Sequence, residues 1–539
     1  MSNLKLTDSL GLPAPCHPLS QQNGQNHNNI SGLKPSIISL HDDILWQIFL
    51  LNADMVDESE DKDAVAAIDT LRYSSQVCSK WRQIILSFSS LWGQVINFSR
   101  LEDDDWREEV LRRTGRSLLS VFWGPPSQAS LCEVSVTEIL KHHWDRIRWL
   151  ELDVTNHDFG SDYSIKQFWK VFQRPSKVLE TFRVFFDRTD RKPVDIISPS
   201  NFVIFNNTAP ALRVFCAPNM RFKLDAPWLA NLRFLALTGQ VSAYDVIRAI
   251  PHMPLLECLT DETSNAIACN GVGLPSLPQI TPSSIKKLIL SSSSDIGPYI
   301  NLLSQIKPAA GCYLDFSHTR LTFDAEMLTL ADRVLYSYSR CCDLPSANDI
   351  SFELHRYQFN FEAHIPGEGQ FRFKLIYYTK LPRDIIKALF AALPSVNFQH
   401  VKTLTLGISP TTFKPNNRRI TEFILSVPSV ETLTVNPKTL RFLLNIPTDN
   451  FALSFPLLHT VEISSYLRGE GLSTIKEFLT SRISSGRPVE VLSLPINLDA
   501  RTDLRSLEEF TGLTIILQCD GQEYEHICGD GRIDDLLFT

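Results

Sequence analysis

Glycine is scarce in this chain, with 22 among 539 residues against 31 prolines. A nucleotide-binding enzyme needs glycines where phosphates approach the backbone, and few candidates are present. No apolar run approaches the ~18–20 residues that span a bilayer, so no membrane partner is expected. The start, Met1-Ser2-Asn3-Leu4-Lys5, lacks a basic end followed by an apolar stretch, so no secretory signal is expected. No C-x-x-C occurs. The eleven cysteines are scattered, with Cys341-Cys342 the one adjacent pair, which points to reduced thiols in the cytosol or nucleus. Excess basic charge is also missing: 52 basic residues stand against 60 acidic ones, for a net charge of -8. The most basic stretch, Arg174 to Lys192, is interrupted by Glu180, Asp187 and Asp190. No nucleic-acid partner is therefore expected.

Catalytic motifs are missing too. There is no H-E-x-x-H, no G-x-S-x-G and no phosphate loop ending in Gly-Lys-Ser/Thr. His142-His143 is the one His pair, and adjacent helical residues diverge too far to share a metal. Gly367-Glu368-Gly369, Gly469-Glu470-Gly471 and Gly529-Asp530-Gly531 are expected to be turns. No catalytic residue, no metal and no cofactor are expected; the chain is read as a binding protein and not an enzyme.

What is present is a fold-forming composition, 43% hydrophobic and 21% charged. Residues 1–36 are the exception. Their Gln/Asn-rich run, Gln21 to Asn29, buries too little to offset ordering entropy and is expected to be a disordered tail. Ile44, Leu45, Ile48 and Phe49 then form the stripe of an amphipathic helix, with Asp42 and Asp43 in its first turn. Asp54 to Asp63 reads as a solvated acidic loop. A second helical run is expected over about 66–87, with Leu71, Cys78, Trp81 and Ile85 at helical spacing, followed by Leu91-Trp92.

The set Leu40-His41-Asp42-Asp43-Ile44-Leu45, Ile48-Phe49, Val77-Cys78-Ser79-Lys80-Trp81-Arg82 and Leu91-Trp92 resembles an F-box. His41 stands where that family usually has proline, and the acidic loop is longer than usual. The resemblance covers residues 37–95. It implies an adaptor-binding face built from Leu40, Ile44, Leu45, Ile48, Phe49, Val77, Cys78, Trp81, Arg82, Leu91 and Trp92. A linker or capping segment, 96–139, follows, with a helix ended near Gly115 and then a strand.

From about residue 140 to 539 the unit apolar-x-x-apolar-x-apolar recurs. Copies are Ile147-Leu150-Leu152, Leu179-Phe182-Val184, Leu212-Phe215-Ala217, Leu232-Leu235-Leu237 and Ile285-Leu288-Leu290. Later copies are Val401-Leu404-Leu406, Val430-Leu433-Val435, Leu458-Val461-Ile463 and Val489-Leu492-Leu494. Neighbouring copies recur about every 30 residues, with helix-like stretches between them, which is the pattern of a stacked coil. The span 315–395 breaks the period. Ser351 to Phe361 alternates as one strand and Phe371 to Leu375 as another, with Pro366 to Gly369 between them, so an aberrant pair of repeats or an inserted hairpin is expected.

The expected fold class is α/β: a small helical F-box module followed by a leucine-rich-repeat-like solenoid with parallel strands on its concave face. This arrangement is similar to the fungal F-box proteins. The resemblance implies a substrate-recognition subunit of an SCF (cullin-RING) ubiquitin ligase, bound to a Skp-type adaptor and through it to cullin, in the cytoplasm or nucleus. The rival reading is a repeat scaffold with a degenerate F-box. The target protein is expected on the residues interleaved with the repeat triads, which turn outward. In the early copies these include Trp149, Glu151, Arg183, Phe185 and Phe234, an aromatic-plus-Arg set typical of binding hot spots. In the late copies they are mainly threonine, as at Thr403, Thr405, Thr432, Thr434 and Thr460, which strand propensity alone would select.

Overall fold

A computed structural model of the chain describes residues 40–53, 55, 66–124, 133–154, 162–185, 202–217, 220, 222–237, 241–261, 267–268, 278–292, 296–319, 325–367, 369–377, 398–410, 413–447, 454–464, 471–494, 504–519 and 522–531. The expected tail, 1–36, lies outside these residues, as does nearly all of the acidic loop. The chain divides into two compact units, residues 1–172 with 176–189, and residues 173–175 with 190–539. The first two repeat copies therefore belong with the helical segment and not with the rest of the array.

In the first unit, helices α1 (Asp42–Asn52), α2 (Ala67–Val77), α3 (Ser79–Ser87) and α4 (Ser89–Gln94) come first. The single helical run expected over 66–87 is two helices. Cys78 parts them: its backbone is extended (φ -156°, ψ 167°), which stops α2. Its Sγ then accepts the Trp81 amide at 3.5 Å and so caps α3. Strand β1 (Ile96–Asn97) and helix α5 (Asp104–Arg113) follow. Asp103 caps α5 by accepting the Trp106 amide at 2.7 Å, and Gly115 leaves it in the left-handed region, φ +50°. Gly93 in α4 lies so close to the Leu118 carbonyl that a Cβ would stand 2.3 Å from its oxygen, so no larger residue fits there. Strands β2 (Leu119–Trp123), β3 (Ile147–Asp153) and β4 (Thr181–Phe185) alternate with α6 (Glu133–His143) and α7 (Asp162–Phe172). β1 to β4 pair in parallel in that order, aligning Val121, Leu150 and Phe182.

The second unit continues the same plan. Its strands are β5 (Val214–Cys216), β6 (Phe234–Leu237), β7 (Val241–Ser242), β8 (Cys258–Asp261), β9 (Ile267–Ala268), β10 (Lys287–Ser292) and β11 (Tyr313–Thr319). Then come β12 (Asp349–His355), β13 (Gln358–Ile365), β14 (Gly369–Ile376), β15 (Thr403–Ile408), β16 (Thr432–Val435), β17 (Thr460–Ile463), β18 (Val491–Leu494), β19 (Thr514–Cys519) and β20 (Gln522–Ile527). β5, β6, β8, β10 and β11 pair in parallel, as do β15 to β19. Leu404, Leu433, Val461, Leu492 and Ile515 stack in register along the second series. Every described triad residue of the repeat is buried. Covering helices begin with local caps: Asn436 accepts the Thr439 amide at 2.9 Å just ahead of Pro437, the first residue of the helix Pro437–Leu444. Buried Thr439 Oγ1 in turn accepts the Ile408 amide at 2.9 Å, tying that helix to the end of β15.

The irregular span is a three-stranded meander and not one hairpin. The stretch 351–361, expected as a single strand, folds back at Arg356-Tyr357, so that His355 faces Gln358. The phase of the apolar residues records the turn, because Phe352 and Leu354 are even-numbered whereas Phe359 and Phe361 are odd-numbered. β13 is antiparallel to both β12 and β14. β14 pairs in parallel with β11 and β12 with β15, so the meander is built into the sheet between the two parallel series. Asp315 and Arg372, register partners across β11 and β14, close a bidentate pair at 2.6 Å. A second antiparallel strand, β20, pairs with β19. The chain is thus mixed α/β, built on a long, mostly parallel sheet compatible with a leucine-rich-repeat-like solenoid.

Candidate functional site

The residues expected to meet an adaptor separate into two groups. Leu45 and Phe49, on one face of α1, are buried with Leu71, Ile84 and Ile85 of α2 and α3. Trp81 is half-buried and stands edge-on to Phe49, ring centroids 5.1 Å apart. Leu91 and Trp92 are fully buried. Trp92 donates its Nε1 proton to the Ile85 carbonyl at 2.9 Å, meets Trp106 edge to face at 6.2 Å and lies under the Arg113 guanidinium at 4.6 Å. Leu45, Phe49, Leu91 and Trp92 therefore present no surface to a partner. Their size and apolarity are used inside the unit, which is the correction the structure makes to the expected docking face.

The outward group is different. Val77 is 63% exposed and Ile44 49%. Residues the sequence reading passed over join them: Leu51, Tyr73, Leu86 and Phe88 are also exposed, Leu51 at 76%. For Leu51, Tyr73 and Leu86 the signal was a position two residues after a buried one, about 200° round the helix from Phe49, Leu71 and Ile84. Leu40, Ile48 and Cys78 are half-buried. Exposed Arg82 is held by its Nε–H donating to the Ser75 carbonyl at 3.1 Å. His41 caps α1, its Nδ1 accepting the Asp43 amide at 3.4 Å. Lys80 Nζ reaches back from α3 to the Leu40 carbonyl at 2.8 Å and to Asp42 at 3.1 Å, which fixes the entry to α1 against α3.

Four of the five residues expected to meet a target lie together on β3 and β4. Register pairs Trp149 with Thr181, Glu151 with Arg183 and Asp153 with Phe185. All four are half-buried, and Arg183 approaches Glu151 to 3.7 Å. Phe234 lies in the second unit and is 5% exposed, beside Ala236, Cys258 and Thr260, which are also buried. There the sheet is covered on both faces, and alternation alone does not reveal that. On the later strands Thr403, Thr432 and Thr460 align in register, and Thr434 donates to Glu462 at 2.7 Å.

His142 and His143 end α6. Burial, then Arg146 and His142, hold the His143 ring down at about 4, so it is neutral at physiological pH. Gly471 opens the helix Gly471–Ser484, against its expected turn role, whereas Gly529 and Gly531 do turn, with φ near +90°. Cys78, Cys216, Cys258, Cys312, Cys341, Cys342 and Cys528 form no disulfide.

One cluster escaped the sequence reading. Glu508, His526 and Cys528 place one ligand-type atom each within 4.8 Å of one another. His526, near the end of β20, and Cys528, just beyond it, are two residues apart, which the sequence did offer as a signal; Glu508 is brought in by the turn before β19. A His526 ring nitrogen lies 2.9 Å from a Glu508 oxygen, and the Gly529 amide donates to the other at 2.8 Å. The His526 bond, then the Gly529 amide, hold the Glu508 carboxyl below its usual range. Burial, then Glu508 and Asp530, push the Cys528 thiol up to about 11, which makes it a poor free nucleophile.

No protein-family model matches the chain. No curated protein matches it. Among solved structures it is similar to the leucine-rich repeat-containing protein LegL7 from Legionella pneumophila, at 13% identity and a TM-score of 0.27, over 72% of this chain and 96% of that one.

Proposed function

We propose that the chain is the substrate-recognition subunit of an SCF (cullin-RING) ubiquitin ligase. In this reading the helices α1 to α4 are an F-box that docks on a Skp-type adaptor, and the strands that follow hold the target protein. One observation carries the reading: Ile44, Leu51, Tyr73, Val77, Leu86 and Phe88 stay exposed while the same short helices already bury a core of their own. Burying one such side chain is worth roughly 1.5–3 kcal/mol, so a partner that covers several gains affinity at once. The cap supplied by His41 supports the reading, because the helix start forms without the proline usual in that family.

The chain performs no bond chemistry here. It holds the target near the charged ubiquitin-conjugating enzyme and so raises the effective concentration of target lysines. It acts in the cytoplasm or nucleus, and holding the target needs no cofactor. The half-buried group Trp149, Glu151, Arg183 and Phe185 is the target-facing part, with the target's identity open.

The test is calorimetric titration of a purified Skp-type adaptor into the full chain, followed by native capture of adaptor and cullin together. Binding that weakens at least tenfold in the double variant Ile44→Asp/Val77→Asp is the expected result. An adaptor that does not bind the folded wild-type chain overturns the reading in favour of a scaffold with a degenerate F-box.

A further inference from the structure

We infer that Glu508, His526 and Cys528 form a binding site for a borderline divalent transition metal, of which zinc is the chemical type. The three supply one carboxylate oxygen, one imidazole nitrogen and one thiol sulfur, all within 4.8 Å of one another. Around a tetrahedral zinc ion, bonds of about 2.0–2.3 Å put ligand atoms a little over 3 Å apart. The cluster therefore closes on an ion by small side-chain movements, with no backbone rearrangement.

The backbone that carries the ligands is fixed on several sides. His526 is the register partner of Ile515 across β19 and β20. The Cys528 amide donates to the Leu513 carbonyl at 2.9 Å, and the Gly512 amide donates to the Cys528 carbonyl at 2.9 Å. Gly529 then turns away in the left-handed region, φ +88°, with its amide on Glu508. That amide does for the carboxylate what outer-shell donors do in metal sites: it orients one oxygen, while the other, which faces the His526 ring, turns to the ion beside it.

Charge balance favours the same occupant. His526 and Cys528 are buried, and Glu508 is nearly so. A divalent ion with one thiolate, one carboxylate and one neutral imidazole forms a neutral unit, which a buried site tolerates well. Cys528 loses its Sγ proton to solvent as the metal binds, and His526 Nε2 gives its proton to solvent and coordinates while Nδ1 carries the one proton of the neutral imidazole. Three protein ligands leave one position for water. The site joins the turn before β19 to the end of β20, so bound metal pins the last antiparallel hairpin of the sheet. This inference does not depend on the ligase reading.

The experiment uses the full, reduced chain and Co²⁺ as the spectroscopic probe. One equivalent should give a thiolate-to-cobalt charge-transfer band with tetrahedral d–d absorption, and Zn²⁺ should displace both. Cys528→Ser should lose the charge-transfer band, and Glu508→Gln should bind at least tenfold more weakly. Zn²⁺ should also raise the thermal midpoint of the wild type and not that of Glu508→Gln. A folded wild type with no charge-transfer band overturns the inference, as does a band that survives unchanged in Cys528→Ser. If Cys528→Ser misfolds, unchanged Co²⁺ affinity in Glu508→Gln overturns it instead.

Discussion

Phe49 and Trp81 meet edge to face, with ring centroids 5.1 Å apart and planes at 74°. The contact joins α1 to α3, and it makes Trp81 a structural residue of the helical segment. Ile44 and Val77 make no such use of their side chains, being about half exposed or more.

Removing the two kinds of residue should therefore give different results. Trp81→Ala should lower stability by about 2 kcal/mol, since a half-buried ring loses part of the cost of a fully buried one. Ile44→Asp/Val77→Asp should keep the helical circular dichroism and the unfolding midpoint while losing adaptor affinity. A Trp81→Ala chain as stable as wild type would place that ring on the surface.

Cutting the chain at residue 95 should fail. Trp92 in α4 packs on Trp106, and the Arg113 guanidinium lies over both rings, at 4.6 and 5.7 Å. The boundary expected between 95 and 96 runs through that cluster. A chain lacking residues 1–95 should aggregate, or lose near-ultraviolet signal from Trp106 and Trp123. Clean folding of that truncation would show that α4 contributes nothing to the strands.

Arg482 should prove more important than its helical surface spacing suggests. It is 2% exposed and donates to the carbonyls of Ser454, Phe455, Leu458 and Arg487 at 3.1–3.4 Å. Phe455 is a non-glycine residue with φ +50°, so the bonds hold a loop that would otherwise relax. Burial lowers the guanidinium to about 10, which still leaves it charged at neutral pH. Arg482→Met should cost about 3 kcal/mol, because several buried carbonyls lose their donor. The denaturant midpoint measures this; a shift near zero would mean water replaces the guanidinium.

Acid should weaken the first unit through His143. Its ring is held at about 4 against an ordinary 6.5, so the folded state prefers the neutral form. That contribution is complete above pH 6.5 and is lost as the pH falls towards 4. The thermal midpoint of the wild type should drop across this window, and His143→Gln should flatten the drop. Equal slopes in both chains would assign the acid sensitivity elsewhere.

Phe234→Ser, which would be a surface change if alternation decided exposure, should instead destabilise by about 3 kcal/mol or more. Arg183→Gln should shift the midpoint by no more than about 1 kcal/mol, because it removes one partly exposed ion pair with Glu151 and introduces no like charge. Comparing the two midpoints separates the covered face from the open one.

Much of the fold could be read from residues alone, because the triads such as Leu404, Leu406 and Val401 obey a period set by the backbone. A strand turns alternate side chains to one face, so three apolar residues at that spacing identify the buried side without further information. The helix end at Gly115 was legible for the same local reason, since glycine takes the left-handed turn that stops a helix. Tertiary packing decided the rest. Whether Phe234, Leu91 and Trp92 are surface or core depends on what lies across from them, and period says nothing about a second covered face. The turn at Arg356-Tyr357 was written in the shift from even-numbered to odd-numbered apolar positions, yet only pairing with β13 distinguishes that shift from a bulge. Glu508 meets His526 and Cys528 because β20 folds back antiparallel onto β19, and a contact made by chain reversal between distant residues has no periodic trace in the sequence.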